Sequence, residues 1–334
     1  MLKKTEHLNP NIFSLSVEES PLRNGFGEGL LEAAKKDERV VGLCADLTES
    51  TRMQAFRDAF PHRFVEIGVA EQNLAAVASG MAAMGKIPFI SSYAMFSPGR
   101  NWEQIRTTIC YNDVPVKIAG SHAGVSVGPD GGTHQAIEDI AIMRVIPRMV
   151  VLTPCDAIEA KKATLAAAKT NTPVYIRLAR EKTPIITTEK TPFEIGKARV
   201  FFEPKRGIKK SVGVIACGAL VHNALSAARE LEKEGVGASV MNLSTVKPLD
   251  EKGILAFARK HDSIVTLEEH QIAGGAGSAV AELLAREHPM PISFIGIKDA
   301  FGRSGAPEEL IAHFGLDTAS VKKEILAAAK RAKK

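Results

Sequence analysis

EQNLAAVASGMAAMGKIPFISSY, residues 71–93, sets a helical pattern directly against a β-rich run. The first fifteen residues are apolar or small nearly all round, the pattern of a buried helix. KIPFISSY, residues 86–93, then reads as a strand. The same alternation extends in both directions. VVGLCAD (40–46), VPVKIAGS (114–121), RMVVLTP (148–154) and PVYIRLA (173–179) read as further strands. Helical stretches such as DAIEAKKATLAAAKT (156–170) lie between them. Strand, helix, strand at this spacing predicts a parallel sheet covered by helices.

Residues 181–210 break that rhythm with three prolines and scattered charge, which predicts a crossing to a second domain. A second alternation follows: SVGVIACG, a helix around 222–234, GASVMNLSTVKP, DSIVTLEEH, a helix around 276–287, and PISFIGI. The fold class expected is therefore α/β, with two domains, each a mainly parallel sheet covered by helices. Their boundaries are set at 1–188 and 206–334, with a linker over 189–205.

The totals bound the function. The 334 residues carry 45% hydrophobic and 24% charged side chains, ordinary for a soluble globular chain. No apolar run reaches the length that crosses a bilayer. The N-terminal MLKKTEHLNPNIF has no apolar core of the signal-peptide kind, and four scattered cysteines form no CxxC. A reduced, cytoplasmic protein without a membrane partner or a metal site of its own is expected. The net charge of +5 clusters only in the tail VKKEILAAAKRAKK, read as a solvated helix end. With 5% aromatics and no basic–aromatic interleaving, nucleic acid is not an expected partner, whereas small phosphorylated ligands suit the charge.

In open α/β sheets, ligands sit beyond the carboxyl ends of the strands. Asp46, Leu47, Thr48 and Ser50 follow VVGLCA, and Tyr93 and Phe96 follow KIPFISS. His122, Asp130 and His134 follow VPVKIAGS, and Arg180 follows PVYIRLA. Together they outline a polar, phosphate-friendly mouth with an aromatic shelf. SHAGVSVGPDGGTHQ, residues 121–135, packs five Gly or Pro residues around two histidines. Ordering such a loop costs entropy, which a ligand would offset; a plain surface loop is the alternative. Glu71 opens its helix and shares a face with Leu74 and Ala78. A carboxylate there is costly unless paired. Facing a nitrogen base would resolve the cost, and so would the helix dipole acting on a first-turn glutamate. GGAGSAV, residues 274–280, lacks the third glycine of a dinucleotide fingerprint and reads as a helix N-terminus.

RFVEIGVAEQNLAAVASGMAAMGKIPFISSYAMF, with VKIAGSHAGVSVGPDGGTHQAIEDIAIMR after it, resembles the pyrimidine-binding half of transketolase. Residues from about 190 onward resemble that family's C-terminal domain. The resemblance implies that Glu71 hydrogen-bonds the aminopyrimidine of thiamine diphosphate, with Tyr93 and Phe96 packing on the ring. It makes Leu47 the apolar wedge below the thiazolium and Asp46 an acid near the cofactor. It places Asp130 at a sugar hydroxyl, His134 at the reacting oxygen, and Arg23, Ser50, His122 and Arg180 at the substrate phosphate. Glu71, His122 and His134 would then be the catalytic set. SPGRNW, residues 97–102, departs from the family pattern, in which another aromatic follows Phe96, and EQN stands where Glu-His is commoner.

The family's Gly-Asp-Gly…Asn motif for Mg²⁺ and diphosphate is missing. The resemblance therefore implies the C-terminal subunit of a split transketolase. Its partner would be an N-terminal subunit carrying the pyrophosphate-binding domain, which binds most of the Mg²⁺ and shares the cofactor. It also implies a self-dimer within a heterotetramer acting on sugar phosphates. Deoxyxylulose-phosphate synthase and the β subunits of 2-oxo acid dehydrogenases share the Glu and aromatic framework, and a non-catalytic scaffold keeping the fold is a further alternative. The joint presence of Arg23, Ser50, His122 and Arg180 favours transketolase.

Overall fold

The computed structural model describes residues 1–331. Its larger sheet has seven strands in the order Thr245–Lys247, Val150–Leu152, Val174–Arg177, Lys117–Ser121, Ile87–Tyr93, Val40–Cys44 and Phe64–Glu66. All neighbours run parallel except Thr245–Lys247, which adds antiparallel to the Val150–Leu152 edge. Val40–Cys44 and Lys117–Ser121 are buried at every position, so helices cover both faces, and the continuous apolar runs of the sequence follow from that. The helices Leu22–Lys36 and Ala157–Ala168 pack against each other on one face. Gly25 and Gly29 permit that approach: a Cβ on Gly25 would lie 1.8 Å from the Ala157 carbonyl oxygen.

The second sheet has five strands in the order Ile292–Ile297, Ser263–Gln271, Lys210–Ala216, Gly237–Asn242 and Arg199–Phe202. The last is antiparallel. The two mainly parallel, helix-covered sheets are the expected architecture.

Three local readings differ. Residues 189–205 are not a featureless linker: Arg199–Phe202 forms the edge strand of the second sheet, its Phe201 and Phe202 buried. The first residues fold onto the second sheet. The Lys3 amide donates to the Phe201 carbonyl at 2.9 Å, and Ile12 is buried in the second core. The basic tail is a helix end, as expected, and its Lys323, Lys330 and Arg331 are exposed. Thr318–Arg331 is a helix that buries Val321, Ile325, Ala328 and Ala329, and residues 332–334 lie outside the described residues. The helix Glu71–Ala83 is buried on one face only, through Glu71, Leu74, Ala75, Ala78, Ser79 and Ala82. Ala76, Gly80 and Ala83 are exposed because none of the described residues covers that side.

GGAGSAV does open a helix, Ala276–Glu287. Its first amides are occupied internally: Ala276 and Gly277 donate to the buried Glu268 carboxylate at 2.7 and 2.8 Å. That carboxylate takes the position an anion would hold at a free helix N-terminus. All four cysteines are free and buried.

Candidate active site

The strand Ile87–Tyr93 ends in a tight turn, in which the amides of Phe96 and Ser97 both donate to the Tyr93 carbonyl at 2.8 Å. That turn stacks the two rings, with centroids 5.8 Å apart and planes at 21°. His122 follows the next strand and stacks closely on Tyr93, at 3.8 Å and 24°. His134, at the other end of the Gly-rich loop, stands edge-on to Phe96 at 5.4 Å and 71°. A single aromatic wall thus joins residues from two strand ends.

Glu71 lies beside this wall. It is 4% exposed, and Arg100 Nη1 donates to its two oxygens at 2.9 and 3.1 Å. The Arg100 guanidinium carbon lies over the Phe96 ring, 4.1 Å from the centroid. Asn101, fully buried, donates from Nδ2 to the Glu71 carbonyl at 2.9 Å and fixes the helix start against the loop. The cost of burying the carboxylate is met by an arginine of the departing SPGRNW segment.

The third part of the mouth is basic. Arg23 Nη1 donates to the Ser50 carbonyl at 2.8 Å and to His122 Nε2 at 3.3 Å. Since Arg can only donate, Nε2 is the acceptor, so His122 carries its proton on Nδ1 and donates it to Ser121 Oγ at 2.9 Å. Burial first, then Arg23, Arg180 and Arg52, push the His122 ring down to about 3. It is a neutral imidazole at ordinary pH. Burial, followed by Arg52 and Arg180, also lowers Arg23, whose Nε is buried with no hydrogen-bond partner among the described residues. Three neighbouring arginines and an orphaned N–H favour an anion here. Arg180 Nη1 is held by the Val127 carbonyl at 3.1 Å and by Glu181 at 2.6 Å.

Ser50 meets Arg23 through its carbonyl rather than its hydroxyl. Asp46 and Leu47 belong to a neighbouring turn. Glu66 holds that turn by accepting from the Asp46 amide at 2.7 Å, from Thr48 Oγ1 at 3.0 Å and from the Gly68 amide at 3.0 Å. Asp130 is exposed at the end of the turn Val125–Asp130. Asp46, Arg52 and His122 all take left-handed backbone angles, with φ of 58°, 64° and 59°. That conformation costs non-glycine residues energy and concentrates at functional sites. Among the described residues, no cluster of three or more His, Cys, Asp or Glu could hold a metal ion.

Sequence reasoning left Glu66, Asn101 and the pairing of Arg100 with Glu71 unassigned. Arg100 is 29 positions from Glu71 and carries no periodic signal.

Fold and site define a two-domain α/β protein with an aromatic, cationic mouth at the carboxyl edge of a parallel sheet. Residues 18–185 match the transketolase pyrimidine-binding domain and residues 203–321 the transketolase C-terminal domain. The chain belongs to the transketolase family. It is 44% identical to a Methanocaldococcus jannaschii protein named as a transketolase C-terminal section, over 91% of this chain and 95% of that one. It is 40% identical to the 6-deoxy-6-sulfo-D-fructose transketolase subunit SqwH of Clostridium sp. (strain MSTE9), over 95% and 96%. A solved split-gene transketolase, described as an inactive β4 tetramer, superposes with a TM-score of 0.85 at 42% identity, covering 93% of this chain and 98% of that one.

Proposed function

We propose that this chain is the C-terminal subunit of a split transketolase. It would transfer a two-carbon ketol unit from a ketose phosphate to an aldose phosphate, with thiamine diphosphate shared with an N-terminal subunit. The observation that carries this reading is the arrangement of Glu71, Phe96 and Arg100. A planar, nitrogen-rich cation already lies over the Phe96 ring and donates N–H groups to the buried carboxylate. An aminopyrimidine can stack on the same ring and share a hydrogen bond between its ring nitrogen and the Glu71 carboxyl, so these residues fit that half of the cofactor. The described residues offer no acidic cluster for Mg²⁺, and the partner is assigned that role.

When bound, the cofactor supplies the nucleophilic carbon and the electron sink for ketol transfer. The chain's own residues do the rest. Glu71 presents its carboxyl to a pyrimidine nitrogen once Arg100 has moved off it, and Tyr93 and Phe96 pack on the ring. Asp46 and Leu47 belong to the cofactor side of the mouth. Arg23, Arg180, Ser50 and His122 hold the terminal phosphate of the sugar. For His122 to donate there, its proton must shift to Nε2, with the Ser121 hydroxyl turning to donate to Nδ1. His134 faces the reacting oxygen end, and Asp130 the adjoining hydroxyl.

The exposed small-residue side of the Glu71–Ala83 helix, with Val69 and Met84 beside it at 69% and 84% exposure, supports a self-dimer within a heterotetramer. A cytoplasmic location is part of the same reading. Among the described residues, no helix is long and apolar enough to cross a membrane. The experiment is a ketol-transfer assay with fructose 6-phosphate as donor, using the chain with thiamine diphosphate and Mg²⁺, alone and with a partner that carries the diphosphate motif. Light scattering of the mixture reads the assembly.

A further inference from the structure

The Gly-rich loop that carries His122 and His134 is anchored in the second domain. Glu269, on the strand Ser263–Gln271, is 4% exposed, and its Oε1 accepts the Ser126 amide at 2.6 Å. Gly124 makes room for that carboxylate: a Cβ there would lie 2.3 Å from Glu269 Cδ, and the backbone is left-handed with φ of 91°. Arg177 ties the far end of the loop to the same strand. Its Nη2 donates to the carbonyls of Ala136 at 3.2 Å and Glu269 at 2.9 Å, while its Nε pairs with the buried Asp139 at 2.8 Å. Gln135 Nε2 bridges the Val125 carbonyl at 3.1 Å and the Arg303 carbonyl of the second domain at 2.9 Å. Gly131 and Gly132 lie directly against Ser304 and Gly302.

We infer that Glu269 is a positioning residue, through which the C-terminal domain holds residues 122–134 in the conformation that presents His122 and His134 to the sugar phosphate. This inference rests on the transketolase reading for its substrate, but not for the contact itself. A buried carboxylate that accepts a backbone amide fixes one atom of an otherwise pliable segment. Flexible glycines alone could not keep two imidazoles against one aromatic wall. The second domain thereby contributes to substrate binding without touching substrate.

The test uses the chain reconstituted with its partner. Glu269→Ala should lower kcat/KM for fructose 6-phosphate about ten- to a hundredfold, the loss expected for a charge-assisted hydrogen bond. The Kd for thiamine diphosphate should stay within about twofold, because Glu71 and Phe96 are not on the loop. Glu269→Gln keeps an acceptor for the Ser126 amide and should recover most of the loss. Gly124→Ala, which drives the loop off the carboxylate, should reproduce the Glu269→Ala defect and cost less when the two are combined. Hydrogen–deuterium exchange reads the contact independently of activity: residues 122–134 should lose protection in Glu269→Ala. Wild-type exchange in that variant overturns the inference whether or not the complex is active. Equal damage to cofactor and sugar-phosphate binding also overturns it. A complex with no ketol transfer, but with protection lost as expected, would overturn the transketolase reading and leave the contact standing.

Discussion

Arg100 Nη1 donates to both carboxylate oxygens of Glu71, at 2.9 and 3.1 Å, while its guanidinium lies over Phe96. The pair is asymmetric: Glu71 is 4% exposed and Arg100 49%. The half-exposed partner is the one that can leave. A ring that stacks on Phe96 and binds Glu71 must displace it, so under the proposed function the ion pair would compete with the cofactor.

Replacing the arginine separates the two effects. An ion pair with one partner half in water contributes about 0–1 kcal/mol. Arg100→Met also leaves the buried Glu71 carboxylate without its ion-pair partner, so it should lower the Tm of the isolated chain by more than the pair's own worth, about 3 °C or more. In the reconstituted complex it should tighten thiamine diphosphate by about two- to fivefold, measured by calorimetry, because no pair has to be broken. Weaker cofactor binding would show that Arg100 contacts the cofactor instead of competing with it.

The basic mouth predicts a donor-specific defect. Arg23 meets His122 and the Ser50 carbonyl, and its buried Nε has no partner among the described residues. Arg23→Met and Arg180→Ala should each raise KM for fructose 6-phosphate by about ten- to a hundredfold, the loss of one charge-assisted hydrogen bond. An unphosphorylated donor such as hydroxypyruvate should be nearly unaffected in steady-state assays. Equal damage to both donors would make these arginines structural.

His122 predicts a pH effect on stability. Its folded value of about 3 lies below the ordinary 6.5, so between these two pH values the unfolded chain binds a proton that the native chain refuses. Stability contributed by the neutral ring is complete above pH 6.5 and is lost as pH falls toward 3, at up to about 1.4 kcal/mol per pH unit. Glu159 has the opposite sign. Burial and Asp156 push it up to about 7, so its contribution grows as pH falls from 7 to 4.5. The wild-type curve mixes both, and a variant isolates one. His122→Asn should flatten the acid limb of Tm against pH between 6.5 and 4 relative to wild type. Parallel curves would show that the ring is not held neutral.

The sheet was legible because its strands are buried on both faces and read as unbroken apolar runs. Glu71 was legible because helical spacing placed it with Leu74 and Ala78. Contacts between distant segments were not. Arg100 meets Glu71 across 29 positions, Arg23 meets His122 across 99, and Ser126 meets Glu269 across 143. No period or local motif encodes such pairs. Arg199–Phe202 was hidden for a related reason: four residues among prolines and charges become a strand only because Gly237–Asn242 offers an open edge. The exposed side of the Glu71–Ala83 helix shows the limit of composition, which marks a surface as apolar without saying what covers it.

The central claim is that this chain supplies the pyrimidine side of a cofactor site completed by another subunit. Ketol transfer from fructose 6-phosphate to an aldose phosphate, in the presence of thiamine diphosphate and Mg²⁺, tests it most directly. No turnover is predicted for the chain alone, turnover with the diphosphate-binding partner, and loss of that turnover on every donor in Glu71→Ala. Robust activity from the chain alone, or full activity in the Glu71→Ala complex, would contradict the account.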